Sequence, residues 1–468
     1  MSLQPCDALL TRAHAHALEH LHGLDARDVG ARATRDELLA ALRAPLSQPG
    51  EDDAAVIDLL ASQAPRGTVA CNGPRYFGFV VGGTLPVSLA ADWLVSAWDQ
   101  NAGIYVISPL VSVVEEIAAD WLLDLFGLPP DCGVGFVTGC QMANLTGLAA
   151  ARHGVLRRVG WDVEVDGLQG APRIHVVASA ESHITIDVAL RYLGLGTSCV
   201  RRVEADAQGR MRPDALRAML ATLEGPTIVC AQAGNVNTGS FDPLGEIADA
   251  CQAHGAWLHV DGAFGLWARA SADARIRALA DGIERVDSWA TDAHKWLNVP
   301  YDCGVAIVRS REDHRAAMTS TAAYLVQTKG AERDAVDWVP DFSRRARGVP
   351  VYAALRALGR DGIADLVDRL CARARQMADA LAREPGVAIL ADVVLNQVLV
   401  RFGDEDDATR RVIAAVQADG TCWLGGTTWQ GRAAMRISVS NYGTSAEDAA
   451  RSVDAIVRAW RQVSRTTR

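Results

Sequence analysis

The stretch "AWLHVDGAFG", Ala256 to Gly265, is an apolar run of strand length that stops at a carboxylate, Asp261, and passes into a glycine-containing turn. It is one of a series of similar runs, with "CGVGFVT", "RIHVVAS", "SCVRRVE", "PTIVCAQAG", "VDSWATD" and "CGVAIVRS", between about residues 96 and 310. Each leads into a polar or glycine-rich segment and then a helix, the order an open α/β sheet requires. Ligands of such sheets collect beyond the carboxyl ends of the strands, so the residues that follow each run carry the functional information.

A chain of 468 residues is too long for one ordinary core. We expect an N-terminal helical arm over 1–95, a large α/β domain over 96–345 and a smaller C-terminal α+β domain over 346–468. The arm contains the amphipathic "ARATRDELLAALRAP" and the helix restart "LSQPGEDDA". The last domain opens with the helix-rich "VYAALRALGRDGIADLVDRLCARARQMADALA" and continues into strands such as "NQVLVRF" and "AAMRISVS". No uninterrupted apolar run is long enough to span a membrane, and no secretory leader is visible, so a cytoplasmic address is expected. The net charge of -10, without a long basic block, gives no footprint for nucleic acid. Ten dispersed cysteines form no CxxC pair and predict neither disulfides nor a metal. His14, His16, His20 and His22 lack a completing carboxylate or cysteine nearby and read as a solvated helix surface.

Lys295, in "SWATDAHKWLNVPYDCG" (Ser288 to Gly304), is one of only two lysines among 46 basic residues. A general bias toward arginine explains the scarcity. Arginine cannot replace an amine that must lose its proton and attack a carbonyl, so a biased chain keeps lysine where amine chemistry occurs. Lys329 lies in a polar loop stretch. Lys295 has apolar surroundings that are expected to depress its pKa.

Three further features are weak when taken singly. Asp261 either caps the turn that follows it or pairs with a protonated pyridine nitrogen, as in pyridoxal phosphate chemistry. "GFVTGCQMANLTGLAAAR" is a strand, a small-residue turn at Gly139 and a helix whose start favours an anion, or else an ordinary βα turn. His183, in "VVASAESHITIDVAL", either stacks on a planar cofactor or caps a helix.

Joined in chain order, these features resemble the pyridoxal-phosphate-dependent group II amino-acid decarboxylases, of the aspartate-aminotransferase-like fold type I. "HVDGAFG", followed 34 residues later by "DAHKW", carries most of the resemblance. It implies that Lys295 bears pyridoxal 5'-phosphate, that Asp261 partners the ring nitrogen, and that His183 and Ala263 flank the ring. Gly139 and Cys140 would hold the phosphate, with Asp292 and His294 close by. Tyr76, Phe77, Phe79 and Ile104, from "PRYFGFVVGG" and "NAGIYVISP", match segments lining the substrate site in relatives. Arg436, in "MRISVSNYGTSAED", is a candidate for the substrate carboxylate or a surface charge on an edge strand. The resemblance also implies a homodimer with shared active sites.

Two departures bear on the reaction. The phosphate turn carries Cys140, Gln141 and Met142 where relatives have a Gly/Ser/Thr-rich turn and a glutamate. Ala335 stands where relatives acting on aromatic amino acids carry a loop tyrosine that helps return a proton to Cα, with Tyr324 a possible substitute. The expected reaction is decarboxylation of a hydrophobic or aromatic L-amino acid. The alternatives are Cα–Cβ cleavage of a β-hydroxy amino acid and a catalytically silent binding protein.

Overall fold

The computed structural model describes residues 6–46, 48–319 and 332–465. Tyr324 and Lys329 lie outside the described residues. Three N-terminal helices come first, α1 (Asp7–Gly23), α2 (Arg35–Leu42) and α3 (Asp53–Gly67). Local chemistry sets two of their starts. Thr34 and Glu37 form a reciprocal capping box, and Asp52 accepts from the Ala55 N–H. His16 hydrogen-bonds Asp58 of α3 at 2.9 Å, and His14 meets the Trp93 ring edge-on. His16 therefore joins two helices of the arm, and His14 packs the arm on the helix Pro86–Trp98. Among the described residues no group of side chains is arranged to hold a metal ion, and no helix is long and apolar enough to cross a membrane.

Helices α4 (Pro86–Trp98) and α5 (Pro109–Phe126) lead into the main sheet. Its strands are β1 (Gly133–Val137), β2 (His175–Ser179), β3 (Val200–Val203), β4 (Thr227–Gln232), β5 (Trp257–Asp261), β6 (Ser288–Asp292) and β7 (Gly304–Val308). The order β1-β7-β6-β5-β4-β2-β3 is parallel from β6 across to β3, and β7 runs antiparallel between β1 and β6. Every residue of β1, β4, β5, β6 and β7 is buried, as expected of a sheet covered on both faces. The six co-directional strands point their carboxyl ends to one side. There β1 turns at Gly139 into α6 (Cys140–Arg157). A side chain on Gly304 would come within 2.4 Å of the Gly139 carbonyl carbon, so glycine lets β7 pass beneath that turn.

The smaller sheet is wholly antiparallel, β8 (Val387–Ile389), β9 (Gln397–Phe402), β10 (Gly425–Trp429) and β11 (Arg432–Ser438), in the order β10-β11-β9-β8. Leu370, Met377, Phe402, Ile437 and Ile456 form its core with the covering helices. The long helix Gly348–Leu381 is interrupted at Gly359, where φ is 60° and ψ is -176°. Its first part packs on α4 and α5 and its second on the small sheet.

Candidate active site

Beyond the strands' carboxyl ends lies a cavity of about 350 Å³. Its floor comes from strand termini and the turns after them: Gly139 and Cys140 after β1, His183 and Thr185 after β2, Gln232 at the end of β4, Asp261 and Ala263 at β5, and Asp292, His294 and Lys295 at β6. Phe79, Phe264 and Tyr301 form aromatic walls. Residues separated by up to 156 positions, from Gly139 to Lys295, thus meet because six strands end on one side.

Lys295 Nζ lies 2.8 Å from Asp292 Oδ2, one helical-type turn earlier in the chain. Burial acts to lower the amine's pKa, but the Asp292 carboxylate opposes it, and the net direction is above an ordinary lysine. The expectation of a depressed pKa is therefore corrected: apolar neighbours were visible in the sequence, whereas the charge partner is placed by the turn after β6. Asp292 Oδ1 also accepts the Cys140 backbone N–H at 2.5 Å and lies 3.5 Å from His294 Nε2. One carboxylate thereby joins the lysine to the β1 turn.

At the opposite wall, Asp261 Oδ1 accepts from the Ala263 N–H at 3.1 Å and from the Cys140 thiol at 3.4 Å, while Oδ2 accepts from the Asn144 amide at 3.2 Å. Asp261 thus caps its own turn and also borders the cavity, so the two sequence readings are compatible. Burial, with Asp261 and Asp292 adding to it, pushes the Cys140 thiol well above its ordinary pKa and keeps it protonated. His183 likewise both caps and borders: its Nδ1 accepts the Thr185 N–H at 3.4 Å at the start of the helix Ile184–Tyr192, and the ring lies at the cavity mouth. Lost hydration lowers its pKa; Asp261 opposes that, and the Lys295 and Arg436 cations add to it.

Some expected residues lie elsewhere. Tyr76 is stacked on Trp423 at 5.2 Å and does not line the cavity; Phe77 is buried in the small-sheet core. The reason lies in the backbone, since Phe79 and Val80 both adopt positive φ (53° and 57°) and swing Phe79 alone onto the wall. Ile104 is buried beside the one-turn helix Tyr105–Ile107, away from this cavity. Arg436, on β11, also does not line it, yet is near enough to act on His183, and it has no carboxylate partner among the described residues. Ala335 is buried in a short turn of its own.

Sequence reasoning missed Asn144, Thr185, Tyr301 and Trp423. Asn144 had a local signal, one turn after Cys140 on the same face of α6. Trp423 stacks on Tyr76 and supports Phe79 at 5.6 Å, which gives the glycine-flanked "CWLGG" a place in the site. Tyr301 packs on the His294 ring at 4.3 Å.

An amine, a carboxylate and a glycine turn at a helix start, all facing one cavity, are the donors that pyridoxal phosphate requires. A Cβ on Gly139 would sit 3.3 Å from His294 and 3.5 Å from Asp292, so glycine leaves these two side chains room at the turn.

Comparison with known proteins bears on the family and the fold. The model of the pyridoxal-dependent decarboxylase conserved domain matches residues 44–402. The chain is similar to acidic amino acid decarboxylase GADL1 of Mus musculus, 32% identical over 333 residues, 69% of this chain and 59% of that protein. It spans about three fifths of the length of this relative and its bovine and human counterparts. Aromatic-L-amino-acid decarboxylase of Bacillus atrophaeus is 25% identical over 446 residues, 92% of this chain and 90% of that one. A crystal structure of Oryza sativa TDC with PLP and tryptamine superposes with a TM-score of 0.91 over 99% of each chain at 23% identity, a likeness of fold.

Proposed function

The chain belongs to the pyridoxal-dependent decarboxylase family, and we propose that it removes the α-carboxylate of an L-amino acid with a hydrophobic or aromatic side chain. The observation that carries this reading is the meeting of Lys295, Asp261, His183 and the Gly139–Cys140 turn around one cavity. On this reading Lys295 would hold pyridoxal 5'-phosphate, Asp261 would partner the ring nitrogen, His183 and Ala263 would border the ring, and Gly139 and Cys140 would take the phosphate, with Asp292 and His294 close by. The bound cofactor supplies a cationic ring that accepts the electron pair left at Cα.

The chain's own residues do the rest. Asp292 Oδ2, 2.8 Å from Lys295 Nζ, pairs with the ammonium and orients it, and the proton has to leave that pair before the nitrogen can act as a nucleophile. Phe79, Phe264 and Tyr301 keep water from the reacting carboxylate and form a surface for an aromatic side chain. Arg436, lacking a carboxylate of its own, is available to a substrate carboxylate. With Ala335 buried away from the cavity, the proton that replaces carbon dioxide at Cα comes from His183 Nε2 or from water.

Relatives bear names that speak of acidic and of aromatic amino acids. The aromatic walls support the second class for this chain, with Tyr76 and Ile104 contributing from behind the wall or from a partner. A homodimer with shared sites, a cytoplasmic location and division of the chain near residues 95 and 345 belong to the same proposal. Support for the dimer comes from exposed apolar side chains, Phe79 (65%) and Ile184 (63%) beside the cavity, with Trp93, Leu94 and Ile107 also exposed.

One observation, Ala335 in the tyrosine's place, favours a second reading: cleavage between Cα and Cβ of a β-hydroxy amino acid. Carbon dioxide and aldehyde are measured together across a panel of amino acids and β-hydroxy amino acids. Carbon dioxide from aromatic substrates supports the first reading; aldehyde without carbon dioxide overturns it in favour of the second.

A further inference from the structure

Behind the cavity runs a continuous file of buried polar side chains. Trp257 Nε1 donates to Ser288 Oγ at 2.9 Å; Ser288 Oγ lies 2.8 Å from His259 Nδ1; His259 Nε2 lies 2.9 Å from Asn144 Oδ1; and Asn144 Nδ2 reaches Asp261 Oδ2 and Thr185 Oγ1, each at 3.2 Å. Trp257, Ser288, His259 and Asn144 are all at least 99% buried.

The direction of every proton in this file is dictated by its ends. An indole N–H can only donate and a carboxylate can only accept. Starting from Trp257, Ser288 Oγ receives the indole proton; its own proton then has only His259 Nδ1 to go to, which leaves the imidazole proton on Nε2, aimed at Asn144 Oδ1. Starting from Asp261, the carboxylate draws the NH₂ of Asn144, which turns Oδ1 toward His259 and again demands a proton on Nε2. Both routes give the same tautomer. Burial lowers the His259 pKa to about 4, so the ring stays neutral and the pattern is not broken by a second proton. A branch continues through Thr185, whose Oγ1 lies 2.9 Å from His183 Nδ1 while its backbone N–H donates to the same nitrogen. His183 Nδ1 is therefore an acceptor, and the neutral ring carries its proton on Nε2.

Helix α6 is shaped around this arrangement. Gly147 lies within the helix interior, where glycine is less favourable than alanine. A Cβ there would stand 2.9 Å from His259 Cε1. The missing side chain allows the helix that carries Asn144 to lie against the imidazole.

We propose that Trp257, Ser288, His259 and Asn144 are positioning residues: through the two N–H bonds of the Asn144 amide they fix the orientation of Asp261 and, by way of Thr185, the tautomer of His183. This rests on the cofactor reading above for its purpose, and on the buried file alone for its geometry. Asn144 is the junction, so a single amide sets both flanks of the cavity.

The test uses the full-length protein loaded with pyridoxal phosphate, and compares His259→Leu with His259→Gln, whose amide restores a donor near the Nε2 position. Cofactor release is followed by equilibrium dialysis, with circular dichroism as the folding control. His259→Leu is expected to weaken cofactor binding about tenfold, the worth of one charge-assisted hydrogen bond, with His259→Gln recovering most of it. Equal loss in both variants, or loss in neither, overturns the proposal. Should His259→Leu not fold, nitrogen-15 histidine spectra of the wild type decide: Nε2–H on both His259 and His183 supports the file, and Nδ1–H on His259 overturns it. A wild-type chain that shows this tautomer but binds no cofactor defeats the cofactor reading instead.

Discussion

The two ends of the cavity are built on different principles. Around Asp261 each polar atom is fixed by a neighbour within a fully buried file reaching to Trp257. At the mouth, Phe79 rests on Trp423 in an unfavourable backbone conformation, and Tyr301 is 58% exposed. Electron-withdrawing chemistry needs a carboxylate held without freedom, so that end grows out of the sheet and the helix packed on it. Selection among side chains needs adjustable surface, and the other end is made from loops. On the proposed function, reaction class and substrate choice would fall to separate parts of the molecule.

Substitutions at the two ends should differ accordingly. Lys295→Ala is expected to have the largest effect, lowering carbon dioxide release by on the order of 10³-fold or more and removing the visible absorbance of the bound cofactor. Retention of that absorbance would falsify the assignment of Lys295. Next comes Asp292→Asn. Without that carboxylate burial is opposed only by the weaker pull of Asp261 and Cys140, so the amine loses its proton at lower pH, and the pH midpoint for cofactor loading should fall. The same pair has a signature in stability. Since the folded pKa is raised above the ordinary 10.5, its contribution is present below about pH 10.5 and is lost as pH rises beyond the folded value. Urea unfolding of wild type and Asp292→Asn should accordingly differ at neutral pH and converge in strong alkali.

At the mouth the changes should be milder and confined to binding. Trp423→Ala removes the support of Phe79, and steady-state assays should give a KM about tenfold higher for aromatic substrates with kcat changed less than about threefold. An equal fall in kcat would mean that the two ends are coupled after all. The smallest effect belongs to the arm. His16→Ala removes a partly exposed contact with Asp58 and should leave both activity and the thermal midpoint unchanged within error.

Much of the reaction end was legible in the sequence. The seven β-rich runs coincide with β1 to β7; the scarcity of lysine singled out Lys295, and strand-end positions brought Asp261 and His183 into consideration. What escaped was contact between distant segments. Asn144 and His259 are 115 residues apart, and nothing in "MANL" shows that its amide meets a carboxylate and an imidazole. The Lys295 pKa was misjudged for the same reason, as apolar neighbours are read along the chain but the aim of the Asp292 side chain is not. Tyr76 and Phe79 differ by a pair of positive φ angles, and alternation along "YFGF" cannot foretell a backbone that turns back on itself.

The stacking of Trp423 on Tyr76, with Phe79 against its other contact surface, has a consequence for how the cavity is completed. Phe79 is held by a residue 344 positions later in the chain, on the segment that leads into the small sheet. The wall of the cavity is therefore complete only when these two distant segments have folded onto each other, and a cut between them would leave Lys295 and Asp261 in place while freeing Phe79.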